Sequence, residues 1–197
     1  MPSDRLHLVN FCVVFIIWNA LFTPNKAQFY NLIFSDFKCQ VNNDFVANFS
    51  CFLNKAGKIP STNMDVQMKK EVTDFRMDLF VYMEKANGES SLLFKVIGLQ
   101  LCRIFEKNFS TPVLRAYKSM VLIPTNVIPK RCPIPANFHY KLYNITMDSE
   151  LLPAYVPETS FKIIVVNKEI KEMFWQTTTL GKVVRRKSSK SRKNSNH

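Results

Sequence analysis

Apolar and polar side chains alternate at a period of two through most of the chain between Gln28 and Leu180. This is the pattern of strands with one face buried and the other wet. Met64, Val66 and Met68 are apolar while Asn63, Asp65, Gln67 and Lys69 are polar, and the next segment sets Phe75, Met77, Leu79, Val81 and Met83 on one side. Upstream, Ile33, Phe37, Cys39 and Val41 share a face of a first strand. Phe45, Ala47, Phe49, Cys51 and Leu53 share a face of a second, which leaves Asn48 and Ser50 pointing outward. A turn near Asn42-Asn43-Asp44 joins the two as neighbouring strands, with Cys39 and Cys51 both inward. Further strands are expected at Leu92 to Gln100, Phe138 to Ile145, Phe161 to Val166 and Met173 to Thr179. Half-buried antiparallel strands joined by Asn, Gly and Pro turns make an all-β sandwich the expected fold class.

One stretch departs from this period. After Asn108, Ser110 or Thr111 is placed to cap a short helix with Pro112 in its first turn, where the missing N–H is harmless. Leu114, Tyr117 and Val121 then share a face at helical spacing, Arg115 and Lys118 face water, and Pro124 ends the helix. The expected helix therefore lies between Cys102 and Cys132.

The start of the chain follows neither pattern. A short polar beginning, Met1 to His7, precedes an apolar-rich run from Leu8 to Phe22 and a polar stretch from Thr23 to Ala27. That run has the length of an export signal's core and falls short of the ~20 residues that a spanning helix needs. Residues 1–27 are accordingly read as a signal peptide, with Ala27 the last residue before cleavage. Cys12 would leave with it, and Cys39, Cys51, Cys102 and Cys132 remain. An even count in an exported chain suggests two disulfides, and four cysteines allow three pairings. The sequons at Asn48, Asn108 and Asn144 add glycosylation to a secreted, extracellular reading. Asn144 shares strand parity with Phe138, Tyr140 and Leu142, so it is aimed inward unless the strand ends or bulges before it.

Composition narrows the function classes. At 197 residues, 47% of them hydrophobic and 17 of them Phe, the chain has the apolar surface for one core over residues 28–181 and cannot be disordered throughout. Much of its net charge of +12 is terminal, since Lys182 to His197 holds seven basic side chains and no acid. Residues 182–197 read as a disordered basic tail that contacts polyanions or an anionic membrane surface. Export removes nucleic acid as its partner. Only four glycines occur in the chain, which argues against a phosphate-cradling loop. No two cysteines form a CxxC pair, and His139 is the only histidine between the signal and the terminal residue, so no metal site is expected. In Phe138-His139-Tyr140-Lys141 that histidine has no recognisable partner for nucleophilic catalysis. Asp74 with Asp78, and Asp148 with Glu150, read as loop or outward strand charges rather than as a glycosidase pair. The Lys69-Lys70-Glu71 run reads as a solvated turn. No catalytic residue and no cofactor is expected.

The order of these features carries a resemblance. Asp36-Phe37-Lys38-Cys39 ends one strand, Phe49-Ser50-Cys51 lies on the next, and Asn63-Met64-Asp65-Val66-Gln67-Met68 forms a third. Leu101-Cys102-Arg103, Cys132-Pro133, Tyr143-Asn144-Ile145-Thr146 and Leu151-Leu152-Pro153 follow. Over residues 29–180 this resembles an insect-expanded family of secreted proteins of unknown function that includes the CheB chemosensory proteins. That family is in turn similar to the lipid-recognition (ML) domains. The resemblance implies an immunoglobulin-like β-sandwich whose sheets splay around an apolar ligand, with the pairings Cys39–Cys51 and Cys102–Cys132. Closing those loops is worth about 3 kcal/mol for the shorter and about 3–4 kcal/mol for the longer. Burying a lipid tail gains about 0.8 kcal/mol per CH₂, so such a cavity binds without catalytic groups. Met64, Val66, Met68, Phe75, Met77, Leu79, Leu114 and Tyr117 are its candidate lining, and the adaptable methionines suit a loosely defined ligand. The expected function is that of a secreted, non-enzymatic binding protein for a lipid or other small hydrophobic ligand, in a chemosensory setting and with an extracellular receptor as a conceivable partner. The alternative is an extracellular protein-binding module or co-receptor whose apolar stripes are simply a closed core.

Overall fold

The alternating segments become eight strands among the described residues. The computed structural model describes residues 30–57, 59–85, 87–106, 124–147 and 157–185. In chain order these are β1 (Tyr30–Val41), β2 (Val46–Asn54), β3 (Ser61–Met68), β4 (Phe75–Glu84), β5 (Ser90–Gln100), β6 (His139–Ile145), β7 (Thr159–Glu169) and β8 (Glu172–Arg185). A short helix, α1 (Leu101–Glu106), follows β5 directly. Five strands pair in the order β1-β8-β7-β4-β5 and three in the order β2-β3-β6. Every pairing is antiparallel. The molecule is an all-β, immunoglobulin-like sandwich of two unequal layers.

β1 and β2 do not pair, contrary to the hairpin expected from their spacing. The Asn42 carbonyl oxygen accepts from the Phe45 and Val46 N–H groups at 3.1 Å, and its side-chain oxygen accepts from Asp44 N–H at 3.0 Å. These local bonds turn the chain out of one layer and into the other, because they replace the ladder bonds that a hairpin would use. The Cys39–Cys51 disulfide, with Cα atoms 6.5 Å apart, consequently ties one sheet to the other. Alternation reports which face is buried and is silent on which strand lies alongside.

Four bulges re-aim side chains that strict alternation misplaces. β1 slips by one residue against β8 between Phe34 and Asp36, so Leu32 and Phe34 point inward and Ile33 is exposed. β2 slips between Val46 and Asn48, which buries Val46 and exposes Ala47. β6 slips opposite Asn63, and Asn144 there adopts φ 55°. The strand therefore bulges at Asn144 and turns that side chain to solvent. Against β4, β5 slips at Gly98, whose φ is 67° and whose N–H donates to the Asp78 carboxylate at 2.6 Å. Each slip places two residues opposite one and shifts the following residues to the other face.

Two further expectations change. β8 continues through Lys182, Val183, Val184 and Arg185, and Val183 is buried, so the folded domain extends to Arg185 and takes the first four residues assigned to the tail. The charge run masks a strand end whose basic side chains alternate with inward valine. The helix expected around Leu114 and Tyr117 lies outside the described residues. In α1, Leu101 and Ile104 are buried one turn apart, and Cys102 bonds Cys132 with Cα atoms 5.5 Å apart. The segment just beyond Cys132 joins the body through paired backbone bonds of 2.8 and 2.9 Å between Ile134 and Val72. Both disulfides match the pairing that the family resemblance implies.

Candidate functional site

Two apolar clusters fill the space between the layers. The first gathers Met64, Val66 and Met68 of β3 with Phe75 and Met77 of β4 around Phe174 and Trp175 of β8. Its rings are closely placed: Trp175 has centroids of Phe75 at 5.7 Å and of Tyr140 at 5.8 Å, and Phe45 lies 5.0 Å from Phe174. Both disulfides pack against this end through Cys51, Cys102 and Cys132. Each fully buried Phe or Met contributes about 1.5–3 kcal/mol, so this end dominates the stability of the fold.

The second cluster is built differently. Tyr30, Leu32 and Phe34 of β1, Phe161 and Ile163 of β7, and Val183 of β8 all come from the five-stranded sheet. From the other layer only Leu53 of β2 and Met147, just past β6, are packed against it among the described residues. Leu79, Val81 and Met83 of β4 border it half-buried. The Phe161 ring lies so close over Gly181 that a Cβ there would come within 2.4 Å of it, and Phe34 meets the same ring edge-on at 6.3 Å.

Two buried polar side chains in adjacent rows lie between the clusters. The register places Met77, Asn167, Trp175 and Val41 side by side across four strands, and Leu79, Val165, Thr177 and Cys39 in the next row. Asn167 and Thr177 are buried, and Val165 packs against both clusters. The Trp175 indole Nε1–H is buried and finds no hydrogen-bond partner among the described residues.

The sequence-derived lining is thus divided by the fold. Met64, Val66, Met68, Phe75 and Met77 lie in the densely packed cluster, Leu79 borders the second, and Leu114 and Tyr117 fall outside the described residues. Sequence reasoning missed Tyr30, Leu32, Phe34, Phe161, Ile163 and Val183 as a group. The bulge in β1 and the basic residues at the end of β8 obscured four of the six. Phe161 and Ile163 were legible as strand residues and lacked only their neighbours.

Outside the interior, the polar chemistry is local. Asn48 is exposed on the outer face of β2, where its Nδ2 donates to Gln67 Oε1. Asn144 is exposed as well, with its backbone N–H donating to Asn63 Oδ1 at 2.9 Å. Asn108 lies outside the described residues. His139 is exposed opposite Gln67. Lys69, Lys70 and Glu71 form the solvated turn expected of them, with Lys70 Nζ 4.7 Å above the Phe45 ring. Asp74 pairs with Arg76 at 2.6 Å, and the hydrogen bond to that carboxylate followed by its charge raises the Arg76 pKa. Tyr143 donates to Asp65 at 3.0 Å, which raises the phenol pKa.

Asp78 departs from its expected place among the solvated carboxylates. It faces outward yet is only 7% exposed, where Lys168 Nζ and Gly98 N–H both donate to it. Burial forces this pairing, because an unpaired carboxylate there would cost several kcal/mol. Glu169 accepts from Thr73 N–H and Oγ–H at 2.8 Å and from Asp74 N–H at 2.9 Å. Burial pushes its carboxyl up, but the Asp74 and Thr73 hydrogen bonds outweigh that and set its pKa below the ordinary carboxylate value. Among the described residues no three His, Cys, Asp or Glu group as metal ligands, and no helix is long and apolar enough to cross a membrane.

Residues 75–163 match the model of a family described as a protein of unknown function (DUF1091). The matched segment starts at the first residue of β4 and ends within β7, and it includes both Cys102 and Cys132. No curated protein matches the chain.

Proposed function

We propose that the chain is an exported, glycosylated, non-enzymatic binding protein for a lipid or other small hydrophobic molecule, and that the second cluster is where the ligand lies. The observation that carries this reading is the unequal filling of the interior. Among the described residues, one end packs two layers of large side chains against each other, whereas the other sets six buried apolar residues of a single sheet against two apolar side chains from the opposite layer. A guest that parts the layers at this end would gain dispersion and burial against that apolar wall. Two disulfides suit an oxidising compartment, and Asn48 and Asn144 stand exposed as sugar attachment would need. The resemblance to CheB proteins and to lipid-recognition domains supports the same reading and adds a chemosensory setting.

Native mass spectrometry of the protein recovered from a secretory host tests this. A bound mass of a few hundred daltons, released by organic solvent and restored by adding a long-chain ester, is the expected result. Protein that carries no such mass, and takes up none of a panel of alkanes, esters and sterols, sinks the reading.

A second reading has its own observation. β5 is an edge strand, and its Leu93 and Ile97 are 57% and 56% exposed while Leu92 and Phe94 are also open to solvent. Such a strip fits an extracellular module that docks another protein, and retention of partner binding after Leu93→Ser and Ile97→Ser would exclude it.

A further inference from the structure

We infer that the bulged edge of β5 docks on an anionic phospholipid membrane, with Leu92, Leu93, Phe94 and Ile97 seated at headgroup depth and the basic residues from Lys182 onward held by the lipid charge. Docking of this kind does not require the ligand proposed above, and it competes with a protein partner for the same strip.

Four of the nine exposed large apolar side chains among the described residues lie on this one strand. They do not share a face. Phe94 stands opposite Val81 and so lies on the inner side of the sheet, Leu92 stands opposite Tyr82 on the outer side, and Leu93 and Ile97 fall at the two register slips. A protein that covered one side of the sheet would leave the other wet, whereas a lipid interface surrounds a protruding edge from both sides. Strand addition by a partner is disfavoured as well. It needs an unbroken run of outward backbone groups, and β5 carries one extra residue at Leu93 and another at Ile97–Gly98, where the Gly98 N–H donates to Asp78. The edge cannot sink into hydrocarbon, because lipid tails offer its backbone groups no hydrogen bonds. The headgroup layer is the depth that suits it.

Charge selects the lipid. Lys95 is exposed within the strip. Leu92 is level with Tyr82, Lys162 and Leu180 across the outer face, and Lys162 Nζ lies 4.7 Å above the Tyr82 ring. Lys182 and Arg185 come next along β8, three strand spacings or about 14 Å from β5. Glu84, Glu89 and Glu158 also lie toward this end, where Lys85, Lys95, Lys162, Lys182 and Arg185 outnumber them. From Lys182 to His197 the sequence holds seven basic side chains and no acid. The apolar edge and the root of the basic run thus lie toward one end of the sheet, and a single surface meets both. A negative leaflet attracts the basic run while the edge partitions into it, so two weak anchors act as one stronger one.

Flotation with vesicles tests this, using the full chain from a secretory host. Vesicles of phosphatidylcholine and phosphatidylserine, mixed three to one, should carry the protein up at low salt, and phosphatidylcholine alone should carry less. The pair Leu93→Ser and Ile97→Ser should weaken binding to the mixed vesicles about tenfold. Leu93→Trp gives an independent readout if that pair fails to fold: its emission should shift to the blue on mixed vesicles and be quenched by brominated lipid. Undiminished binding by the folded serine pair, or an unmoved emission from Leu93→Trp, overturns the inference and leaves attachment to the basic run alone. Wild-type protein that floats with neither vesicle overturns it too and returns the strip to a protein partner. A ligand mass bound to protein that ignores vesicles would overturn docking and leave the proposed function standing.

Discussion

Gly181 shows how much a single position can decide here. An added Cβ would lie 2.6 Å from the Ile33 carbonyl oxygen as well as against the Phe161 ring. The ring could swing away, but a backbone oxygen in a paired strand cannot. Gly181→Ala is therefore expected to destabilise the protein by about 1–3 kcal/mol, read as a lower urea midpoint at unchanged slope. Glu169 makes a different kind of prediction. Its folded pKa lies below the unfolded one, so its contribution is complete above the ordinary carboxylate pKa and disappears as pH falls through the folded value. Glu169→Gln should flatten the acid side of a stability-versus-pH curve, lowering stability at neutral pH and leaving it nearly unchanged below the folded pKa. The effect should stay below about 1 kcal/mol, since the group is largely solvated. The sequence reading ended its strands at Val166 and Thr179, short of both residues, and a close approach and a cluster of three donors are properties of the assembled sheet.

At the level of strands, the alternation of Met64, Val66 and Met68, and of Phe75, Met77, Leu79 and Val81, is reproduced with the same residues inward. Their inward parity was legible because the extra residues at the slips opposite them lie on β2, β5 and β6 and not on β3 or β4. Elsewhere a single inserted residue was enough to mislead, as at Ile33 and Ala47, and bulges leave no reliable trace in a pattern of apolar and polar letters. Asn144 is the exception, since its inward parity clashed with its sequon and thereby announced the slip. The second cluster was harder to see than the core. It depends on β1 lying beside β8, two strands at opposite ends of the described chain, which no local pattern reveals. The linking elements offer a direct check: Cys102→Ser with Cys132→Ser should lower stability by about 3–4 kcal/mol by releasing a loop of 30 residues. Equal denaturation midpoints with and without that bridge would contradict it.

Considered as a whole, the molecule ends later than its charge pattern suggests, and truncation distinguishes fold from tail. Removal of residues 186–197 should leave the melting temperature unchanged and abolish salt-sensitive retention on heparin. A cut after Gly181 should also melt the protein several degrees earlier, since it takes buried Val183 and the β8 pairing to β1 and β7 with it. The placing of the two covalent links has a larger consequence. Cys51, Cys102 and Cys132 all border the aromatic end, so both sulfur bonds clasp the same margin of the molecule. Any breathing of the layers must then pivot about that margin and be widest at the far rim, beside Phe161 and Leu53. Amide exchange should accordingly be slowest around Trp175 and fastest toward Tyr30 and Val183, and a guest at the rim would act as a wedge in a clothes-peg, felt little at the spring.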